Sequence, residues 1–310
     1  MAVKMTRNDF GELLTPIHKK IFFESYAEKP KVYDKTFKID TMNAKEQTYP
    51  HMGALGKWET NNEGSEFKLA DFKEGPIATF TATRYDKSYE VTWELCQDDQ
   101  YNVFKGTGKG GSAQKLARGL AATEESESAK VIIEGFDGVT DTNIGYDGVT
   151  LFSDVHPLIN SAEKVSNLVS GGLTDATLKE ALTKMRGQKD EAGVFIAAHA
   201  KKLVVHPDWE FTARAIVNST LQAGTNNNDT NTVPSLEIVV WDYLADNPDI
   251  KPWYVQDSSI DNLMFLWREK PIFDSERIQN KMDYRFFGYC RFDCGYVDWR
   301  GLVGSKGITG

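Results

Sequence analysis

Cysteine is scarce: Cys96, Cys290 and Cys294 are the only three in 310 residues. An odd count without a secretory start excludes a disulfide-built scaffold. If Cys290 and Cys294 share one strand, four residues of ~3.3 Å rise hold them roughly 13 Å apart, beyond disulfide reach. Neither Cys-x-x-Cys nor His-x-x-x-His occurs, which removes the common zinc spacings. Long apolar runs are missing as well. None approaches the ~18 residues of a membrane span, and the opening MAVKMTRNDF has no signal-peptide core, so a protein made and kept in cytoplasm is expected. Basic charge is in deficit, with 36 Lys and Arg against 45 Asp and Glu for a net charge of −9. A surface made to hold phosphate backbones would be basic.

What is present suffices for about two domains with a core in each. Hydrophobic residues make up 40% and aromatics 12%, which excludes a disordered chain. The organising stretch is 113–136, which follows the glycine cluster Gly106-Thr-Gly-Lys-Gly-Gly111 and contains no proline. Ala117, Ala121, Ser128, Ile132 and Phe136 recur at helical spacing with Glu124, Glu125 and Glu127 between them. Twenty-four residues at ~1.5 Å rise make a rod of roughly 36 Å, able to carry a core along one side.

Ahead of it, 8–25 reads as a helix capped by Asn8 with a stripe of Phe10, Leu13, Leu14, Ile17 and Ile21. Pro30 stops it. Such a helix cannot bury its stripe on itself, so it docks on its own chain or on another. Residues 48–75 are polar and weakly patterned, with Trp58, Phe67 and Phe72 standing singly; 77–95 then turns strand-like, with Tyr89, Val91, Trp93 and Leu95 alternating with polar residues. Together, 48–95 predict a long hairpin-like excursion too poor in apolar matter for a core of its own, and therefore in need of a partner surface.

After a glycine-bearing loop region, 137–172, a second helix is expected over 175–186, capped by Thr174, striped by Leu178, Leu182 and Met185, and ended by Gly187. A buried strand at 202–206 leads to Pro207 and a third helix through Trp209, Phe211, Ala215 and Leu221. The loop 224–229 and strands at 236–240, 253–255 and 263–266 complete a compact α+β unit over 173–270. The late aromatic strand 284–294 must pair with something laid down earlier, and the alternating strand before the long helix is the candidate. One domain is then split around the compact unit.

Chemical motifs are weak. Gly106-x-Gly108-x-x-Gly111 fits a dinucleotide fingerprint and precedes a helix, but Asp98-Asp-Gln-Tyr-Asn-Val-Phe is no buried strand, and Gly111 is followed by Ser112 where a phosphate loop needs Lys. A flexible joint is the simpler reading. His18, His51, His156, His199 and His206 lie far apart with no nucleophile elbow beside them. Glu124 with Glu127, and Asp98 with Asp99, read as solvated charge, and His199-Ala-Lys-Lys202 is too short for a nucleic-acid patch. No catalytic, cofactor-binding or metal residues are assigned.

Several segments resemble the major capsid proteins of tailed bacteriophages, in particular the Mu-like major head subunit group. They are Tyr85-Asp-Lys-Ser-Tyr-Glu-Val-Thr-Trp-Glu with Asp98-Asp99; Tyr146-Asp-Gly148; Leu151-Phe-Ser-Asp-Val-His-Pro157; Asn167-Leu; the Met-Arg-Gly-Gln ending at Gln188; Leu203-Val-Val-His-Pro207; Gly224-Thr-Asn-Asn; and Asp298-Trp-Arg-Gly301. They keep the family's order across roughly 85–304. The resemblance implies the α+β Hong-Kong-97-like fold: an N-terminal arm (1–47), an extended loop (48–92), a peripheral domain (93–165) with a spine helix (113–136), an axial domain (166–270) and a return to the peripheral domain (271–310).

It further implies a non-enzymatic shell protein without cofactors that assembles with itself as pentamers and hexamers into an icosahedral head around double-stranded DNA. A separate scaffolding protein, a portal and decoration proteins are the implied partners, with assembly in the host bacterial cytoplasm, final residence in the virion, and no membrane. A bacterial nanocompartment shell, a two-domain nucleotide-binding enzyme with 48–95 as a lid, and a viral tail or adhesion component are the alternatives.

Overall fold

The computed structural model describes residues 11–28, 30–52, 55–67, 69, 74–98, 111–136, 147–158, 161–219, 230–278, 280–281 and 283–307. The expected cap Asn8, Phe10, Phe72, Asp99, the glycines 106–110, Leu221 and the loop 224–229 lie outside them.

In chain order the elements are helix α1 (Gly11–Tyr26), the single turn α2 (Tyr33–Thr36), strands β1 (Lys38–Thr41), β2 (Glu46–Met52), β3 (Glu74–Thr81) and β4 (Thr83–Val91), then α3 (Trp93–Asp98) and the long α4 (Ser112–Glu134). A small hairpin of β5 (His156–Leu158) and β6 (Ser161–Val165) leads to α5 (Asp175–Arg186), β7 (Lys202–Val205) and α6 (Glu210–Asn218). Strands β8 (Glu237–Val240), β9 (Trp253–Gln256), β10 (Leu263–Ile278), β11 (Asp283–Tyr296) and β12 (Leu302–Ser305) follow.

Two four-stranded sheets divide the molecule, one ordered β1-β10-β11-β4 and one β12-β9-β7-β8. The first joins the two ends of the chain. As expected, β11 pairs with β4; the pairing is antiparallel, from Tyr284 opposite Val91 to Phe292 opposite Thr83. Period-2 patterning aims Tyr284, Phe286, Cys290 and Phe292 at one face, where α1 and α4 cover them. Ala113 and Ala117 are fully buried on α4, and such small side chains let α1 come close through Phe22. The second sheet carries its own core, in which Leu178, Ala181 and Met185 of α5 pack with Leu203, Val205, Trp253 and Val255. The α5 ends are as the sequence implies: Thr174 and Thr177 form a reciprocal cap, and Gly187 closes the helix.

The end of α4 shows why one glycine is needed. A Cβ on Gly135 would lie 2.9 Å from both the Leu151 Cβ and the Val131 carbonyl oxygen, and the Gly135 carbonyl accepts from the Phe152 N–H at 2.6 Å. The chain turns back here at a spacing no side chain tolerates, which stacks Phe136 on Phe152 at 4.3 Å.

Four local expectations are revised. Trp93 to Leu95 does not continue β4 but opens α3, because the Thr92 hydroxyl accepts from the Leu95 N–H and caps a helix there. Phe211 is 80% exposed; α6 begins only at Glu210, after a 3-10 turn at Pro207–Trp209, and its phase buries Ala213, Ile216 and Val217. The strand expected at 263–266 runs on to Ile278 through Pro271, absorbing the missing N–H in register shifts between Trp267 and Ile272. It therefore crosses residue 270 unbroken. On the part of α1 whose side chains are described, from residue 18 on, the buried face is His18, Phe22 and Ser25, with Ile21 of the expected stripe only partly covered; the side chains of Leu13, Leu14 and Ile17 lie outside the described ones.

Of the two docking modes left open for the N-terminal segment, residues 18–42 adopt the one on their own chain. Tyr33 and Phe37 enter the main core, and β1 pairs in parallel with β10.

Candidate assembly surface and its buried supports

Two of the acids on α4, Glu124 and Glu125, are buried. Glu124 is fully buried and accepts from the Tyr26 hydroxyl at 2.5 Å, the Lys31 ammonium at 2.6 Å and the Tyr33 hydroxyl at 3.0 Å. Lys31 also lies 3.6 Å over the Tyr26 ring. Burial, then the Glu124 charge, drives the hydroxyls of Tyr26 and Tyr33 far above the usual phenol range. Next in sequence, Glu125 accepts from the Val32 N–H at 2.6 Å and the Trp241 indole at 2.8 Å. Burial raises its carboxyl above the usual range, and these hydrogen bonds only partly oppose the shift. Two adjacent carboxylates thus fasten the segment after α1, and the Trp241 corner, to the long helix. Glu127 is half-buried, and Asp98 is exposed.

The histidines do not converge. His18 packs tilted against Phe286 with ring centroids 4.5 Å apart; His199 is exposed; His206 caps the turn after β7 by accepting from the Asp208 N–H at 3.1 Å, and burial lowers its pKa. His51 lies in β2. His156 sits in a developed polar setting. Its Nδ1 is 2.6 Å from Asp147 Oδ2, its Nε2 is 3.2 Å from Asn167 Oδ1, and its ring stacks on Trp299 at 4.3 Å. Asn167 is oriented from both sides, donating to the Leu151 carbonyl and accepting from the Ser153 N–H, each at 2.8 Å. His156 has no exposed surface, so this carboxylate–imidazole pair is a joint that no substrate reaches.

Beyond Trp299, Arg300 is held by Glu191, Asp298 and the Lys189 carbonyl, while Gln188 accepts from the Gly301 N–H at 2.8 Å. Asp147, His156, Asn167, Gln188, Trp299 and Arg300 come from five of the sequence segments quoted above. The fold gathers them at the seam between the two sheets. No single-residue signal marks them as a group; only their contacts do.

Among the described residues, no group of three His, Cys, Asp or Glu stands ready for a metal ion, and no helix is long and apolar enough to cross a membrane. Cys290 is buried, and burial together with the Glu124 charge pushes its thiol up to about 12. The polar clusters are load paths inside the fold. The conspicuous surface feature is elsewhere.

The β2–β3 excursion is rooted by Phe80 and Ala82 against Met42, Met264 and Leu266, with Tyr49 edge-on to Phe80 at 5.6 Å. Past this root, Trp58 is 101% exposed, Phe67 96% and Leu69 98%. Covering one aromatic of ~150–250 Å² at ~25 cal/mol per Å² is worth several kcal/mol before ordering costs. Two such aromatics and a leucine bare on one loop mark a contact surface.

Comparison with known proteins bears on the family and the fold. The sequence pattern of the family described as "Phage capsid protein" matches residues 76–305. No curated protein sequence matches the chain. In fold it is similar to a subunit of the procapsid of bacteriophage JBD30 (15% identity, TM-score 0.52, covering 99% of this chain and 77% of that one). It is also similar to a subunit of the capsid of the cyanophage P-SCSP1u (12% identity, TM-score 0.61, 91% and 89% covered). A third likeness is to the capsid of a native GTA particle (13% identity, TM-score 0.56, 90% of each chain). At these identities the likeness fixes the fold, which is the expected α+β Hong-Kong-97-like one. With three quarters of its length inside the family's pattern, this chain belongs to the phage capsid protein family.

Proposed function

We propose that this chain is the major head subunit that tiles, as pentamers and hexamers, an icosahedral shell enclosing double-stranded DNA, and that it performs no catalysis. The observation that carries the reading is the excursion at 55–69: Trp58, Phe67 and Leu69 are solvated in the isolated subunit, on a loop without a core, and a neighbouring copy supplies the missing cover. Repetition then makes a stable shell from individually modest contacts. The net charge of −9 suits a wall that should not grip its DNA.

A separate scaffolding protein, a portal and decoration proteins are the partners proposed, with assembly in the host bacterial cytoplasm and residence in the virion. The division into arm (1–47), extended loop (48–92), peripheral domain (93–165 and the return) and axial domain (from 166) is proposed with one adjustment. The return is placed at the start of β10, near 263, because that strand crosses residue 270 without a break. Electron microscopy of the purified protein, alone and with its scaffold, tests the function. Closed shells are expected; a species that stays monomeric in both conditions refutes it.

A further inference from the structure

His156 is enclosed between two acceptors. Its Nδ1 faces the Asp147 carboxylate at 2.6 Å and its Nε2 faces Asn167 Oδ1 at 3.2 Å, on a ring without exposed surface. The surroundings fix which end of the Asn167 amide it meets. Nδ2 donates to the Leu151 carbonyl and Oδ1 accepts from the Ser153 N–H, so turning the amide over would set acceptor against acceptor and donor against donor. A neutral imidazole carries one N–H and one lone pair. Either tautomer would aim that lone pair at an oxygen inside a site closed to solvent, where an unmet polar contact is costly.

We infer that His156 is held as an imidazolium donating from both ring nitrogens, and that this proton latches the seam between the two sheets. Among the described side chains, the charged and titratable groups around the ring are Asp147 before β5, Tyr296 at the end of β11 and, across Trp299, Arg300 with Asp298 and Glu191. Asp154 and Lys164, near it on the hairpin, are exposed. Three carboxylates thus stand against one guanidinium, and a second cation brings them nearer to balance. The stacked Trp299 ring, 4.3 Å away, offers that cation its face. Burial, then the Asp147 charge, pushes the Tyr296 hydroxyl above the usual phenol range, so it stays neutral. The contact held by the proton spans the seam: the Asn167 carbonyl accepts from the Gly304 N–H of β12 at 3.1 Å, while Trp299 shares a core with Phe265 and Phe292 of the first sheet. Loss of the proton sets the Nε2 lone pair against Oδ1 and opens this contact. The inference goes beyond the shell reading and stands without it.

Nitrogen-15 spectra of the histidine-labelled, unassembled full chain at pH 7.5 read the ring directly, with His156 identified by its proximity to the Trp299 ring. Two protonated ring nitrogens are expected; one protonated and one bare nitrogen overturns the inference. Hydrogen exchange of the Ser153 amide, expressed at each pH relative to the unstructured rate, reads the latch. An opened joint frees an imidazole that sheds its proton above ~6.5, so rising pH favours opening and protection falls by up to about tenfold per pH unit between pH 7 and 9. His156→Gln has no such proton to lose, and its slope should vanish. Protection independent of pH in the wild type, or an unchanged slope in His156→Gln, overturns the latch. The spectra and the wild-type exchange decide the matter even where His156→Gln does not fold.

Discussion

Lys31 reaches the wholly buried Glu124 across 93 positions of sequence, Nζ to Oε2 at 2.6 Å, with the Lys31 side chain only 15% exposed. This pair ties the connection after α1 to the middle of the long helix. Two tyrosine hydroxyls complete the carboxylate's shell, so its charge is compensated from three directions. An N-terminal segment that the sequence leaves free to dock anywhere is in fact clamped to its own subunit.

Removing one partner of this pair should be costly, because it strands the other charge in a dry site. Lys31→Met is expected to lower subunit stability by about 3–5 kcal/mol, and Lys31→Met with Glu124→Gln to recover part of that loss. Urea titration of the unassembled subunit measures both. A single-mutant loss below about 1 kcal/mol would mean the pair is as weak as a surface ion pair.

Glu125 should give the subunit a pH dependence of definite sign. Its carboxyl in the folded chain titrates above the ordinary 4.5, chiefly from burial, so between 4.5 and that raised value the folded state holds more proton than the unfolded one. Stability from this group is therefore fully present below 4.5 and declines as pH rises through the window. Glu125→Gln, which also loses one acceptor, should cost less stability at pH 7.5 than at pH 4.5 in paired denaturation curves. An equal cost at both values, or a larger one at pH 7.5, contradicts the assignment.

Asn167→Ala should destabilise the seam. It leaves the buried Ser153 N–H and Leu151 carbonyl without their partners and removes the oxygen facing His156. Two orphaned buried groups at about 1–3 kcal/mol each amount to roughly 2–6 kcal/mol. The melting temperature and the rate of proteolysis within 147–170 read the effect, and a melting temperature equal to wild type would show the joint to be dispensable.

Much of this architecture is legible in the residues. The long helix, α5 with its Thr174 cap, and the pairing of β11 with β4 follow from periodicity and from the need of a late strand for an early partner. What periodicity cannot supply is phase and context. Thr92 turns an alternating strand into a helix with one side-chain hydrogen bond. Glu124 reads as solvated, and nothing marks Glu125 as buried, because their donors Lys31, Val32 and Trp241 lie about 90 or more positions away. The seam around His156 was visible as a set of family-like segments, but its meaning required their contacts. Trp58 and Phe67 are the most legible, since a polar stretch with lone aromatics has no way to hide them alone, whereas nothing in the sequence singles out Leu69.

The most direct measurement concerns those side chains. Replacing Trp58, Phe67 and Leu69 together by serine touches nothing buried in the subunit, so its melting temperature should stay within the range of ordinary surface changes, about 0.5 kcal/mol in stability. Electron microscopy and sedimentation of the same preparation should then show free subunits where the wild type forms closed shells. Shells of normal yield from the triple variant would contradict the claim that sister copies bury this loop.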